Sequence, residues 1–255
     1  MLKKRLIFTL LYKQNNFYLS RNFRLQKVGG IDWLIKNYNF EKIASSIDEL
    51  VILNLSGKDF DIKKFCDDVL RITKNCFIPL SLGGGIKTIE DAEILFTNGA
   101  DKIVINSALF SCSDLIRDIS KRYGSQSIIA SVDLKVKNSS YLVFIENGLR
   151  LIDKDFKCYL NYLESLPIGE VFLNSIDKDG TGQGFQMDLM NYIDNSFSKP
   201  IIISGGAGNA NHLLEGLTNS QTNAVATANL FNFIGDGLPN ARKFLLDSGC
   251  DLARW

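Results

Sequence analysis

The chain has 255 residues, of which 45% are hydrophobic and 22% charged, values typical of a globular protein. Its 29 basic and 28 acidic residues leave a net charge of +1, so charge gives no reason to expect a nucleic acid or an anionic membrane as a partner. The run Leu6–Leu11 is too short for a signal-peptide core, and no apolar run exceeds strand length, so we expect a cytoplasmic protein.

Short apolar runs of β-type composition recur along the chain, with helical stretches between them. We predict eight strands: Arg5–Leu11, Glu49–Leu55, Ile78–Leu82, Lys102–Asn106, Ser127–Asp133, Glu170–Ser175, Pro200–Ser204 and Ala224–Ala228. The stretch Ile62–Ile72 has the spacing of an amphipathic helix. Eight strands alternating with helices in this length predict an α/β fold, a closed (βα)8 TIM barrel forming a single domain over residues 1–255.

Two segments interrupt the alternation of strands and helices. Gln14–Gly30, after the first strand, is predicted to be a long loop. Tyr141–Ile145 and Leu149–Ile152 flank Glu146-Asn147-Gly148, where Asn-Gly predicts the tight turn of a hairpin.

An internal repeat relates the two halves of the chain. Gly83-Gly84 recurs as Gly205-Gly206, and two further strand-end pairs, Asn106 with Asn229 and Leu11 with Asp133, have nearly the same separation. This spacing predicts a half-barrel duplication.

Two glycine-rich turns follow predicted strands. Glycines let backbone N–H groups approach an anion closely, so the pattern predicts two phosphate-binding sites and a ligand with two phosphates. The first site comprises Gly83, Gly84 and Gly85 with Asn106 and Ser107, and the second Gly205, Gly206, Ala207 and Gly208 with Ala228 and Asn229. The alternative is that these glycines only form tight turns.

Asp133 ends the fifth strand, where barrel enzymes place catalytic groups, and its carboxylate could move protons or act as a structural acceptor. The segment Asp177–Thr181, which contains Asp179 and Gly180, follows the sixth strand. It could cap a helix, bind a phosphate or glycerol group, or only turn the chain.

Four charged residues begin strands at the opposite end of the barrel: Arg5, Glu49, Lys102 and Glu170. Two charges of each sign can close into a ring, because buried charges need partners. The residues alone favour the other interpretation, four unrelated surface charges.

The five cysteines are scattered and His212 is the single histidine, which favours structural thiols and argues against a metal site. No dinucleotide fingerprint is present, so we expect no organic cofactor.

Several runs together resemble one family, the cyclase subunit of imidazole glycerol phosphate synthase, over nearly the whole chain. They are IDELVILNL, IPLSLGGGI, GADKIVINSA, YGSQSIIASVD, SIDKDGTGQG and IISGGAGN. The resemblance implies a cyclase that receives ammonia from a partner glutaminase through the barrel and combines it with a bis-phosphorylated ribulosyl substrate.

The resemblance also implies roles for individual residues. It places one phosphate on Gly84, Gly85, Asn106 and Ser107, and the other on Ser204, Gly205, Gly206 and Asn229. It makes Arg5, Glu49, Lys102 and Glu170 an ammonia gate, and it puts Asp101 and Gln126 near the glutaminase interface.

The chain departs from the family pattern at its catalytic end. One of two catalytic aspartates falls on Asp133, but the other falls on Leu11, which cannot transfer a proton. At the family's substrate loop, which carries a lysine, this chain has Gln14, Asn15, Asn16 and Leu19. Asn54 and Asn174 are two further positions at which the chain departs from the family pattern.

Three hypotheses follow. The first is a conduit subunit that binds a glutaminase as a heterodimer and passes ammonia to another enzyme, because a similar pattern is associated with cyclase-like proteins that supply a sugar amidotransferase in surface-glycan synthesis. The second is an ordinary cyclase of histidine biosynthesis relying on Asp133. The third is a non-catalytic phosphate-ligand sensor or scaffold.

Overall fold

A computed structural model describes residues 3–194, 196–228 and 235–254 and contains a closed barrel of eight parallel strands. The strands are β1 (Arg5–Lys13), β4 (Glu49–Asn54), β5 (Leu80–Gly83), β6 (Lys102–Ile105), β7 (Ile128–Lys137), β10 (Glu170–Ser175), β11 (Ile201–Ser204) and β12 (Thr222–Thr227). Each pairs with the next, β7 pairs with β10, and β12 returns to β1. The predicted (βα)8 TIM barrel is confirmed.

Helices pack around the strands and bury their apolar faces against the outside of the barrel. They are α1 (Ile31–Asn37), α2 (Phe40–Ala44), α3 (Ile62–Thr73), α4 (Ile89–Thr97), α5 (Ser107–Ser111), α6 (Ser113–Tyr123), α7 (Phe156–Ser165), α8 (Ala210–Thr218) and α9 (Gly237–Asp247). In α3 the predicted stripe is confirmed, because Phe65, Val69 and Ile72 are buried. No helix of the described residues combines the length and the apolar content needed to span a membrane.

The hairpin predicted after the fifth strand is present. Strands β8 (Ser140–Ile145) and β9 (Arg150–Asp155) extend the barrel sheet beyond β7. All three residues of the turn Glu146–Gly148 have positive φ, which asparagine and glycine tolerate.

The prediction of a long loop over Gln14–Gly30 is wrong. The segment forms a second hairpin, β2 (Asn16–Arg21) and β3 (Arg24–Gly30), and β2 continues antiparallel from β1. Two-residue turns at Gln14-Asn15 and Asn22-Phe23 have positive φ at both positions, the conformation that matches the twist of a hairpin. Asparagine favours such turns, so a polar segment that resembles a loop forms a meander of three strands.

The middle section of the barrel interior is filled by apolar side chains. Strand residues alternate between the helices and the interior, and the interior cluster is a group that we call the apolar plug: Ile7, Val51, Val104, Ile129, Phe172, Ile202, Ala224 and Ala226. None of these side chains is more than 4% exposed. The plug therefore separates the two ends of the barrel, where polar groups are found.

A buried ion pair fixes the starts of β1 and β4. The Asp48 carboxylate accepts a hydrogen bond from the Leu6 backbone N–H (2.7 Å) and pairs with the Arg242 guanidinium (3.0 Å). Both side chains are buried. The pair thus sets the positions of the neighbouring residues Arg5 and Glu49, the first residues of their strands.

Candidate functional site

The strand starts carry a closed ring of four alternating charges, which we call the charged ring. Arg5 Nη1 lies 2.9 Å from Glu49 Oε2, and the same guanidinium pairs with both oxygens of Glu170. Lys102 Nζ closes the ring at 3.0 Å from Glu49 and 2.7 Å from Glu170. The interpretation as four unrelated surface charges is therefore wrong; the role of the ring as an ammonia gate stays a prediction.

Because the carboxylates of the charged ring are buried, they depend on their cationic partners more than the charges of a surface ion pair do. The Glu49 side chain is only 1% exposed and also accepts a hydrogen bond from the Ser81 hydroxyl. Burial alone would raise the pKa of Glu170, but hydrogen bonds and charge from Arg5 and Lys102 outweigh it and hold that pKa below its ordinary value.

Two further predicted residues lie at the same end of the barrel. Asp101 directly precedes β6, and its carboxylate accepts a hydrogen bond from the Leu80 N–H (2.8 Å). Gln126 lies in the short 3-10 helix before β7 and is exposed. Both are thus on the rim of the face that carries the charged ring, where a partner could reach them.

At the opposite end, Asp133 is buried among amide groups. Its two oxygens accept hydrogen bonds from Asn174 Nδ2 (3.4 Å) and Asn106 Nδ2 (3.3 Å), and its residue is 7% exposed. Burial raises the pKa of Asp133 to about 7; the Asn174 hydrogen bond opposes this shift and the charge of Asp179 adds to it. A carboxyl group with such a pKa can accept or donate a proton near neutrality.

The raised pKa of Asp133 predicts a pH-dependent stability. The unfolded chain ionises this group near its ordinary pKa of 3.8, whereas the folded chain keeps it protonated up to about pH 7. Its contribution is therefore fully present below pH 3.8 and is lost as pH rises towards 7, at about 1.4 kcal/mol for each pH unit. We expect Asp133→Asn to gain stability relative to the unmodified chain between pH 5 and pH 8, measured by urea unfolding. Asp153→Asn, an exposed change on β9, is the control, and equal shifts for both variants would contradict the prediction.

Leu11 occupies the position that faces Asp133 from the other side of the mouth. It pairs with Leu53 of β4 and Tyr18 of β2, and it is half-buried. By strand alternation its side chain shares the interior face of β1 with Ile7. An aliphatic group therefore lies at the end of β1, and of the two expected carboxylates only Asp133 is present.

Both glycine-rich turns have geometry that requires glycine. Gly84 and Gly206 have φ of +98° and +107°, and a Cβ there would lie 1.9 Å from Asn54 O and 2.0 Å from Gly184 O. A close backbone approach therefore explains why glycine is required at both positions, and the phosphate role of the two turns stays a prediction. The second turn precedes the start of α8, at the usual phosphate position of barrels.

The other residues predicted to bind phosphate differ in position and in what their side chains contact. Ser107 begins α5 beside Asn106, and its hydroxyl accepts a hydrogen bond from Glu146 N (3.1 Å). The Asn106 amide is directed inwards, to Ser131 O (3.0 Å) and Asp133. Ser204 ends β11 beside Gly205, whereas Asn229 lies outside the described residues. Their phosphate contacts stay predictions.

The loop after β10 holds the β2–β3 hairpin. The Asp179 carboxylate accepts hydrogen bonds from the Ser20 hydroxyl and the Phe23 N–H (3.0 Å). Asn22 donates to three backbone carbonyls of the same loop. Because β10 is three strands away from β1 around the barrel, the hairpin must cross the mouth to reach it.

This arrangement gives Asp179 and Gly180 a partner other than a phosphate. A Cβ on Gly180 would lie 2.0 Å from Ser20 O, so glycine here admits the hairpin. The predicted phosphate role of the pair stays a prediction, and the carboxylate is directed to the hairpin. Sequence reasoning missed Ser20, Asn22 and Phe23; the signal was Asn22, a residue that favours a hairpin turn.

Removing the Asp179 contacts is expected to loosen the hairpin. A hydrogen bond to a charged group contributes about 1.5–3 kcal/mol, so Asp179→Ala should raise the rate of tryptic cleavage after the exposed Arg21 and Arg24 by about tenfold or more. Asp177→Ala is the control, because that carboxylate binds Val136 N instead. Equal cleavage rates in the two variants would show that Asp179 does not hold the hairpin.

Comparison with known proteins finds relatives of one family. Residues 34–234 match the family described as "Histidine biosynthesis protein". A protein of Parasynechococcus marenigrum (strain WH8102), provisionally named imidazole glycerol phosphate synthase subunit hisF2, is 47% identical over 100% of this chain and 95% of its own length. Imidazole glycerol phosphate synthase subunits HisF of Pelodictyon phaeoclathratiforme and Chlorobaculum parvum are 35% and 34% identical, each over 98% of both chains.

Proposed function

The chain belongs to the histidine biosynthesis protein family, as a relative of the imidazole glycerol phosphate synthase subunits HisF, and from this premise we propose that it is a conduit subunit. It binds a glutaminase at the face that carries the charged ring and receives ammonia there. The ammonia passes through the barrel to the mouth, where a second enzyme uses it. Cyclisation of a ribulosyl substrate is weak or absent.

The observation that carries this proposal is the contrast between the two ends of the barrel. The charged ring is complete and its carboxylates are buried, which is costly unless all four partners are kept together. At the mouth, Leu11 replaces one member of the acid–base pair, and each such group contributes about 10²–10⁴-fold to a rate. This contrast supports an end that still receives ammonia and a mouth that has lost a group needed to cyclise.

The ligand of the mouth is proposed to be a bis-phosphorylated small molecule. The two glycine-rich turns follow β5 and β11 at the mouth, and glycine lets backbone N–H groups approach an anion closely, which supports two phosphate contacts. The hairpin across the mouth would have to move or adjust for such a ligand to enter, because its tip contacts the loop after β10.

The enzyme that uses the ammonia is proposed to be a sugar amidotransferase of surface-glycan synthesis. The support is the leucine at the end of β1, a replacement associated with cyclase-like proteins of that setting. Reconstitution of the barrel, the glutaminase and the amidotransferase should transfer the amide nitrogen of ¹⁵N-glutamine to the sugar only when the barrel is present.

A single experiment separates the conduit from a cyclase. The chain is mixed with its glutaminase and with the bis-phosphorylated ribulosyl substrate, and glutamine hydrolysis and imidazole formation are measured separately. We expect hydrolysis to be stimulated and imidazole formation to be slower by about 10²-fold or more than hydrolysis. Imidazole formation at the rate of glutamine hydrolysis would overturn the proposal.

The second candidate is an authentic cyclase of histidine biosynthesis, and the observation that favours it is the pKa of Asp133. A buried carboxyl group with a pKa of about 7 is suited to proton transfer, although Leu11 cannot act as its acid–base partner. Complementation of a histidine auxotroph discriminates the two functions. Growth that is lost in Asp133→Asn would establish the cyclase.

A further inference from the structure

The barrel interior contains a layer of hydroxyl groups between the apolar plug and Asp133. Layers of a (βα)8 barrel are built from alternate strands, and height advances by one residue for each strand crossed. Thr9 pairs through Val51 with Ser81, so the residue at its height in β5 is Gly83. The same step then leads to Ser131 in β7 and to Ser204 in β11.

The layer closes on itself, which confirms the assignment of heights. Ser204 pairs with Ala226, which pairs with Ile7, and two residues above Ile7 is Thr9 again. We call this set the hydroxyl layer: Thr9, Gly83, Ser131 and Ser204. Two residues lower on the same four strands are Ile7, Ser81, Ile129 and Ile202, so three large aliphatic side chains in that layer give way to small polar ones above.

Thr9 has an unsatisfied hydroxyl group. Its residue is 3% exposed, and its Oγ1 has no hydrogen-bond partner among the residues that the structure describes. A buried polar group without a partner is costly, and native proteins usually supply a protein group or an ordered small molecule. Thr9 faces the interior, as Ile7 does, so the missing partner must lie inside the barrel.

The surroundings decide what that partner can be. Below the layer are plug residues and Ser81, whose hydroxyl donates to Glu49, and the buried carboxyl group nearest above it is Asp133. An ion would lose its hydration without gaining an opposite charge within the layer, which is very unfavourable. At Gly83 there is no additional room, because a Cβ there would meet Val104 at 2.6 Å. The polar groups that the layer itself offers are therefore the hydroxyls of Thr9, Ser131 and Ser204, which suit a small neutral hydrogen-bonding partner.

We propose that the hydroxyl layer binds one small neutral hydrogen-bonding molecule on Thr9 Oγ1, water in the resting barrel and ammonia in transit. The ammonia part rests on the proposed function, whereas the binding of water does not. Thr9 can accept or donate a hydrogen bond, so it can hold either molecule. In transit, ammonia would thus leave the plug in its neutral form and be held by the Thr9 hydroxyl, two residues below Leu11 on β1 and across the barrel from the strand that carries Asp133.

The first test uses Thr9→Val, which keeps the shape of the side chain and removes the hydroxyl, with Thr9→Ser as the matched control. A high-resolution crystal structure of the unmodified chain should show a single-atom density peak within hydrogen-bond distance of Thr9 Oγ1. The peak should persist in Thr9→Ser and disappear in Thr9→Val. Absence of the peak from the unmodified chain would overturn the proposal.

Stability gives an independent measurement. If Thr9 Oγ1 is truly without a partner, Thr9→Val removes an unsatisfied polar group and should stabilise the fold. If the group holds a bound molecule, the variant should be equally stable or less stable, with a midpoint of urea unfolding equal to or below that of the unmodified chain. Clear stabilisation by Thr9→Val would therefore count against the site.

Identification of ammonia needs a separate readout. In the unmodified chain with ¹⁵N-labelled ammonia at alkaline pH, nuclear Overhauser effects from the Thr9 methyl group to ¹⁵N-attached protons would show that ammonia reaches the layer. Effects to solvent protons alone would support the water site and overturn the ammonia part. Because this measurement needs no glutaminase, failure of the proposed partnership would not alter its outcome.

Discussion

Leu11→Asp is expected to raise the rate of imidazole formation by about 10²-fold or more over the unmodified chain. The change places a second carboxylate at the end of β1, across the mouth from Asp133. A like charge also disfavours ionisation, so the pKa of Asp133, already raised by burial, should rise further and one of the two groups should stay protonated. An acid and a base would then face the same ligand, as general acid–base catalysis requires. The measurement is imidazole formation with saturating ammonium and the ribulosyl substrate, without glutaminase.

Two companion variants make the result specific. Leu11→Asn has nearly the same shape as the aspartate variant but cannot transfer a proton, so its rate should stay at that of the unmodified chain. The double variant Leu11→Asp with Asp133→Asn should lose the gain. A gain of equal size in Leu11→Asn would show that polarity or packing, and not a missing carboxylate, limits the reaction.

Glu49→Ala is expected to lower the free energy of unfolding by about 3–5 kcal/mol. The Glu49 carboxylate pairs with both Arg5 and Lys102 and accepts the Ser81 hydroxyl, and its side chain is 1% exposed. Its removal leaves two partly buried cations to share Glu170. Urea unfolding at neutral pH measures the loss.

An exposed glutamate provides the matched control for the charged ring. Glu93 forms a two-bond pair with Arg122, but both side chains are about half exposed, so Glu93→Ala should cost about 0–1 kcal/mol. Equal costs for the two variants would mean that the ring is solvated like a surface pair. If the ring also gates ammonia, only the Glu49 variant should lose stimulation of the glutaminase.

The sequence predicts the barrel well because its strands carry an unambiguous local signal. A run such as Val171–Leu173 is apolar and bounded by turn residues, and the eight runs alternate with helical stretches. Strand ends were less certain. The third strand begins at Leu80 instead of Ile78, because Pro79 lacks the N–H group needed to donate to a neighbouring strand.

The hairpin at the mouth was missed because its signal is local and polar. Asn15 and Asn22 are of a type that is common in loops. Only their positive φ shows that each lies in a two-residue turn between the strands of a hairpin. The partner of the hairpin, Asp179, is far away in sequence. No local pattern can show that a carboxylate with several possible roles binds Ser20.

The charged ring and the hydroxyl layer could not be established without the strand register. Four charged residues at strand starts are compatible with separate surface positions, because a shift of one residue would turn each side chain towards the helices. The ion pairs require all four strands to be aligned. Thr9 likewise acquires meaning only when its interior position and its missing partner are known.

The charge balance of the ring makes the two ends of the barrel electrically independent. Asn174 lies four residues after Glu170, a rise of about 13 Å along the strand. The two positive and two negative charges at the base cancel, so their field at the mouth is that of a neutral group and decays quickly with distance, although the apolar plug screens charge less than water does. Docking of a protein at the base should therefore leave the titration of Asp133 unchanged, and communication between the ends has to be carried by moving atoms or by the transported molecule itself.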